Sequence, residues 1–167
     1  KACLVWHLGM DNTHEWFKNK LVRQAVAFAV DREGCMKVGH DGRGTVVFNS
    51  ATFAPDPIVM GGIQNPLNKY SYNPEKAKAL LKQAGLEKGV DVTLWSMPVQ
   101  RPYNPNSRRI AEMIQNDWAK VGVKAKIVSY EWGEYLSGIR KGEHDSALYG
   151  WMSDNGDPDN FADVLLG

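Results

Sequence analysis

Cysteine is scarce in this sequence, because Cys3 and Cys35 are the two thiols among its 167 residues. Two cysteines are too few for a disulfide framework, and they lack the paired spacing of a zinc site. A bridge between them and two separate buried thiols both agree with the sequence. The cysteines therefore do not show whether the protein resides in an oxidising or a reducing cellular compartment.

Long apolar runs and an excess of one charge are also absent. No run approaches the roughly 18 apolar residues that a membrane-spanning helix needs. Lys and Arg number 20 against 19 Asp and Glu, a net charge of +1, so neither nucleic acid nor an anionic membrane is expected as a partner. With 43% hydrophobic residues, the composition is that of one globular domain.

The motifs of catalysis are missing as well. The histidines at 7, 14, 40 and 144 are scattered, and no nucleophile elbow or phosphate loop is present. The run DNGDPDN at 154–160 has the acids of a calcium loop, but its proline breaks the frame that an EF-hand requires. Asp154 and Asp157 could form the carboxylate pair of a hydrolase, although no acid–base partner supports them. We therefore expect a binding protein with no cofactor and no metal.

The first half of the chain reads as a strand, a helix and a long irregular segment. Apolar spacing predicts a strand at 4–8 and a helix at 20–30, with a break or bend at 31–34. Residues 39–69 have no sustained period, apart from a possible strand at 45–48. Asn73 then provides a helix cap followed by proline, and Gly85 ends that helix.

The second half alternates between strand and helix. We predict strands at 91–96, 125–130 and 145–151, and helices at 108–121 and 131–141. This β-α-β-α-β order predicts an α/β fold with parallel strands joined by right-handed crossovers. Because the sequence begins in a strand-like run and ends at a helix start near 163–167, we expect it to be a fragment.

The candidate site lies in the loops that follow the first and third of these strands. Ligands of open α/β sheets bind beyond the carboxyl ends of the strands, where the strand order reverses. If the strand at 91–96 lies between the other two, its loop meets the loop of the third strand. Arg101 could then bind a carboxylate and Asp154 an ammonium, with Tyr103 and Trp151 as aromatic walls.

From spacing alone, ordinary structural roles are more frequent than ligand binding for Arg101, Asp154 and Trp151. Arg101 and Asp154 could be solvated loop residues, and Trp151 could belong to the edge of the core. Asp157 and Asp159 more often cap a following helix than touch a ligand.

Several stretches resemble one family, the solute-binding proteins of peptide ABC importers, and especially its dipeptide-binding branch. They cover most of the chain and are VRQAV at 22–26, YNPEKAKALLKQAG at 72–85, MPVQRPYNPN at 97–106, AKVGV at 119–123, YEWGEYL at 130–136, GW at 150–151 and DNGDPDNF at 154–161. The resemblance is weakest between residues 39 and 62.

The resemblance implies a periplasmic-binding-protein type II lobe, with a mixed central sheet flanked by helices. Residues 1–167 would form a single α/β lobe, most of the second of two lobes that close on a peptide. Family members place an aspartate at the position of Asp154 on the peptide's α-ammonium and an arginine at the position of Arg101 on its α-carboxylate. Tyr103 and Trp151 match aromatic positions that line that pocket.

The implied partners are a small peptide ligand, the missing first lobe and the membrane permease of the importer, in the periplasm or another extracytoplasmic compartment. Related receptors bind haem, glutathione or antimicrobial peptides, and the quoted motifs do not separate these ligands.

Overall fold

A computed structural model describes residues 4–44, 46 and 70–152 of the chain. The strands are β1 (Leu4–Met10), β2 (Val90–Trp95), β3 (Val123–Val128) and β4 (Ser146–Met152). The helices are α1 (Lys20–Phe28), α2 (Arg32–His40), α3 (Pro74–Gln83), α4 (Ser107–Ala119) and α5 (Trp132–Lys141). The possible strand at 45–48 lies almost wholly outside the described residues.

The four strands form one mixed sheet in the order β1-β4-β2-β3. β2 is parallel to both β3 and β4, whereas β4 and β1 are antiparallel along their whole length, from Leu4 opposite Met152 to Met10 opposite Ser146. The predicted α/β class with a mixed, helix-flanked sheet is confirmed. The strand at 91–96 lies between its two parallel neighbours, which is the condition that the candidate site required.

Local signals account for the start of α3. The Asn73 side chain accepts a hydrogen bond from the backbone N–H of Lys76 at 2.9 Å, and Pro74 and Glu75 follow in the first turn. Proline has no N–H to leave unpaired there, and the acid interacts favourably with the positive end of the helix dipole. The predicted cap is confirmed.

Helix α2 was not predicted from the sequence. Asp31 does interrupt α1, but its side chain also accepts a hydrogen bond from Gly34 N–H at 3.0 Å and so caps a second helix. Gly34 and Gly39 both have low helix propensity. Packing outweighs propensity here, because a Cβ on Gly39 would lie 2.4 Å from Ile110 Cδ1 of α4, so that only glycine permits this close approach.

The core has one layer on each face of the sheet. Leu94 and Leu148, both fully buried, face the layer that contains α1 to α4. Their neighbours Trp95 and Ala147 point the other way, against Tyr135 of α5. This alternation of successive strand residues decides which loop side chains reach each face. The buried Cys35 is a free thiol whose pKa burial raises to about 12, and Cys3 lies outside the described residues.

Candidate functional site

The predicted site corresponds to the edge of the sheet where β2 and β4 end. Both strands run in the same direction, so their carboxyl ends lie at the same edge. β4 pairs with β2 only through Leu94 opposite Ser146 and Trp95 opposite Ala147. The remainder of β4 therefore extends about 16 Å past the end of β2, at roughly 3.3 Å per residue, alongside the loop at 97–106.

This loop is anchored at both ends and closed by a turn. The Ser107 hydroxyl at the start of α4 accepts a hydrogen bond from Met97 N–H at 2.9 Å. Arg101 and Asn104 form an antiparallel bridge, with backbone N–H to carbonyl distances of 3.2 and 2.9 Å between them. Residues opposed in such a bridge project to the same side, so the Arg101 and Asn104 side chains share one face of the turn.

Arg101 is half-buried and stacked on an indole. Its guanidinium carbon lies 4.5 Å from the centroid of the Trp132 ring. Its Nε atom is buried without a hydrogen-bond partner, and its side chain forms no ion pair with any of the residues that the structure describes. A cation held in this way can bind a planar anion through the N–H donors at the edge of its guanidinium group.

Tyr103 lies close to Arg101 and to Tyr149 of β4. Burial raises the pKa of Tyr103, with a further upward contribution from Tyr149, while the positive charge of Arg101 opposes the shift. The phenol therefore stays neutral and able to donate a hydrogen bond at physiological pH. The ring packs against the cluster of Trp95, Tyr135 and Ala147 on the α5 face.

Strand alternation places Trp151 on this same face. It lies two residues beyond Tyr149 and four beyond Ala147, and its side chain is half-buried. The structure thus brings Arg101, Tyr103 and Trp151 to one face at one edge of the sheet. Asp154, like Asp157 and Asp159, lies outside the described residues.

Sequence reasoning missed the role of the aromatic residues that follow β3. Trp132 was assigned no role at the site from the sequence, but in the structure it lies under Arg101. Tyr130 is 40% exposed and packs on Trp95, with ring centroids 4.6 Å apart. One signal could have found both residues, since the start of a helix that follows a parallel strand lies at the carboxyl edge of the sheet.

A separate cavity of about 210 Å³ lies on the α5 face near the other end of β4. Burial lowers the pKa of His7 to about 4 and lowers that of His144, and the Nδ1 atom of each ring is buried without a hydrogen-bond partner. Its lining residues are His7, Gly9, Met10, Ile139, His144, Ala147 and Tyr149. Between residues 4 and 152, outside the undescribed segments, no cluster of three or more His, Cys, Asp or Glu side chains could hold a metal ion.

None of the helices in the described part of the chain has the length and apolar character needed to span a membrane.

Comparison with known protein families gives a match over nearly the whole chain. The model of a family described as "bacterial extracellular solute-binding proteins, family 5 Middle" matches residues 3–167. The dipeptide-binding protein of Escherichia coli K12 is 57% identical over 145 residues, which are 87% of this chain and 26% of the relative. Heme-binding protein A of Haemophilus influenzae is 43% identical over 167 residues, which are 100% of this chain and 30% of the relative.

Solved structures give the same result. HbpA2 from Haemophilus parasuis superposes with a TM-score of 0.83 at 41% identity, covering 95% of this chain and 30% of that one. A dipeptide-binding protein from Pseudoalteromonas sp. SM9913, in complex with Met-Leu, gives a TM-score of 0.81 at 38% identity, with 95% and 30% coverage. The chain therefore spans roughly a quarter to a third of the length of these relatives.

Proposed function

The chain belongs to family 5 of the bacterial extracellular solute-binding proteins, and on that premise we propose that it is part of a receptor that captures dipeptides for an ABC importer. Residues 1–167 form a single lobe of a two-lobed protein in this proposal. The remaining lobe closes over the ligand, and the loaded receptor delivers it to a membrane permease. The receptor operates in the periplasm or an equivalent extracytoplasmic space, and it carries out no chemistry on the peptide.

The half-buried guanidinium of Arg101 is the observation that carries this proposal. It lies at the carboxyl edge of β2 and β4 and has no acidic partner among residues 4–44, 46 and 70–152. A cation that is partly desolvated and left without an anion favours a ligand that brings one. The α-carboxylate of a peptide is planar and fits the guanidinium edge through two parallel hydrogen bonds.

Asp154 supplies the opposite charge in this scheme. It comes two residues after the end of β4 in the sequence, and we assign it to the peptide's α-ammonium. Two opposite charges at fixed separation select a short zwitterion of matching length. Tyr103 and Trp151 then flank the peptide with aromatic surface, which tolerates different side chains.

Calorimetric titration of the complete protein with Ala-Ala, Ala-Ala amide and N-acetyl-Ala-Ala tests both assignments. Arg101→Ala should weaken Ala-Ala binding by about 2 to 5 kcal/mol and leave Ala-Ala amide nearly unaffected, because the amide has no carboxylate to lose. Asp154→Ala should weaken Ala-Ala similarly and leave the N-acetylated peptide nearly unaffected.

Arg109→Ala is the matched control, since it removes an exposed arginine from α4 and should leave all three affinities unchanged. Equal affinity of the wild-type protein for Ala-Ala and its amide would contradict the role given to Arg101.

Haem is the second candidate ligand, because one of the similar proteins is named for it. Heme-binding protein A of Haemophilus influenzae matches the full length of this chain at 43% identity. A Soret absorption band that develops on titration of the complete protein with haem, and that Ala-Ala does not displace, would favour this ligand. Displacement by Ala-Ala would indicate that both ligands use one site.

A further inference from the structure

The Arg101 side chain lies on the indole of Trp132. The guanidinium carbon is 4.5 Å from the ring centroid, and the Nε atom is buried with no hydrogen-bond partner. No acid from the described parts of the chain forms an ion pair with the group. Its position therefore depends on an aromatic face and on the backbone turn that carries the residue.

Trp132 is itself fixed to the sheet. It is the first residue of α5, directly after Glu131, whose carboxylate accepts a hydrogen bond from Gly133 N–H at 2.7 Å. Its ring stacks on Tyr135, with centroids 5.8 Å apart and an interplanar angle of 14°. The Tyr135 ring is fully buried, and its hydroxyl lies 2.6 Å from the Leu148 carbonyl oxygen of β4 and 3.2 Å from that of Trp95 of β2.

These contacts form a continuous series from the sheet to the cation. The backbones of β2 and β4 hold Tyr135, Tyr135 holds Trp132, and Trp132 supports the guanidinium group. The strands and loops that bear the proposed ligand residues thus also determine where the cation lies.

Stacking on an indole leaves the binding edge of a guanidinium free. The cation–π contact uses the flat face of the group, whereas a carboxylate binds its N–H donors in the plane. The two interactions therefore do not compete. An arginine already confined to one rotamer loses less freedom when it binds, so its affinity for the anion rises.

From this geometry we infer that Trp132 is a positioning residue, which holds Arg101 in the orientation that receives the ligand's carboxylate. The inference rests on the proposed function and extends it, because it assigns carboxylate selectivity to the pair rather than to Arg101 alone. Trp132 acts through Arg101 and needs no contact of its own with the peptide.

The test compares Ala-Ala with Ala-Ala amide in calorimetric titrations of the complete protein. Trp132→Leu should lower the affinity for Ala-Ala about tenfold while changing the affinity for the amide little, so that the ratio of the two falls. Trp132→Phe keeps an aromatic face and should lose only about threefold. In an Arg101→Ala background, Trp132→Phe should have no further effect, because the group that it positions is gone.

Trp6→Leu is the matched control. Trp6 is also a half-buried tryptophan, but it lies in β1 and stacks on His40, with centroids 6.2 Å apart. Its substitution should leave the ratio between free acid and amide unchanged. Far-UV circular dichroism checks that each variant is folded, and if Trp132→Leu does not fold, the Trp132→Phe cycle with Arg101→Ala decides the question.

Equal weakening of both peptides by the Trp132 variants would overturn the inference, since it would mean that the indole touches the ligand or only supports the fold. The inference would also be overturned if the effects of Arg101→Ala and Trp132→Phe on the binding free energy of Ala-Ala proved additive. A wild-type protein that does not distinguish Ala-Ala from its amide would instead overturn the role proposed for Arg101, and the inference with it.

Discussion

His14 lies in the loop that follows β1. Both of its ring nitrogens contact the segment between α5 and β4. Nδ1 lies 2.8 Å from Asp145 Oδ1, and Nε2 lies 2.7 Å from the carbonyl oxygen of Gly142. Both partners are acceptors, so both nitrogens must donate, which requires the imidazolium form. The hydrogen bond to Gly142 and that to Asp145 raise the pKa of His14, and the nearby carboxylate of Asp11 adds to the shift.

This arrangement predicts a pH-dependent contribution to stability. Because the folded-state pKa of His14 lies above its ordinary value of 6.5, the contribution is fully present below pH 6.5 and is lost as the pH rises through the raised value. His14→Gln should therefore lower the free energy of unfolding at pH 6 by about 1 kcal/mol or less, and by a smaller amount at pH 9. Urea denaturation of both proteins at the two pH values measures this difference.

His40→Gln provides a control of opposite sign. Burial lowers the pKa of His40, so the contribution of its neutral ring is present above pH 6.5 and is lost as the pH falls. A difference between wild type and His14→Gln that does not change between pH 6 and pH 9 would show that folding does not raise the pKa of His14.

At the scale of elements, the approach of α5 to the sheet depends on a single glycine. A Cβ on the buried Gly138 would lie 2.5 Å from Cη2 and 2.7 Å from Cζ3 of Trp95. The Trp95 indole cannot easily move away, because it packs against Tyr130 and Tyr135 with centroid distances of 4.6 and 5.7 Å. The helix that carries Trp132 can therefore lie this close to β2 only if position 138 has no side chain.

Gly138→Ala should destabilise the fold by about 1 to 3 kcal/mol, since overpacking outweighs the roughly 1 kcal/mol that alanine gains over glycine in a helix. Ser137→Ala, on the exposed side of the same helix, should be neutral or slightly stabilising. Urea denaturation of both variants provides the comparison. If Gly138→Ala were as stable as the wild type, the helix would have to lie further from the sheet than described.

At the scale of the whole molecule, the described residues contain a hydrophobic core, whereas the proposed function gives this chain one side of a two-sided binding site. The buried side chains of α1 to α5 and of the four strands lie within the described residues. The charged ends of a peptide, however, pair strongly only where water is excluded, and in a two-lobed receptor exclusion requires closure of both lobes.

Residues 1–167 alone should therefore unfold cooperatively on heating, as followed by circular dichroism, and yet bind Ala-Ala at least about 100-fold more weakly than the complete protein. That factor corresponds to roughly 2.7 kcal/mol. Calorimetry of the two proteins side by side measures it. Equal affinities would mean that this lobe binds the peptide without its partner.

The sequence by itself predicted the elements whose signals are local. The Asn73 cap and the β-α-β-α-β order depend on residues that are neighbours along the chain, so composition and spacing are enough to predict them. The order of elements left the place of β2 in the sheet as a condition, and the structure meets it, so that Arg101 and Trp151 reach one edge of the sheet. The resemblance of the motifs that contain these residues to a known family supplied their expected roles, which spacing left open.

Only the tertiary structure decided which distant residues meet. Helix α2 forms against its low propensity because Gly39 packs on Ile110, and β1 joins the sheet antiparallel to β4. The stacking of Arg101 on Trp132 arises because β2 and β3 end at the same edge, which brings the loop after one beside the helix after the other. No pattern of neighbouring residues records such a contact, since it is the pairing of strands that brings its members together.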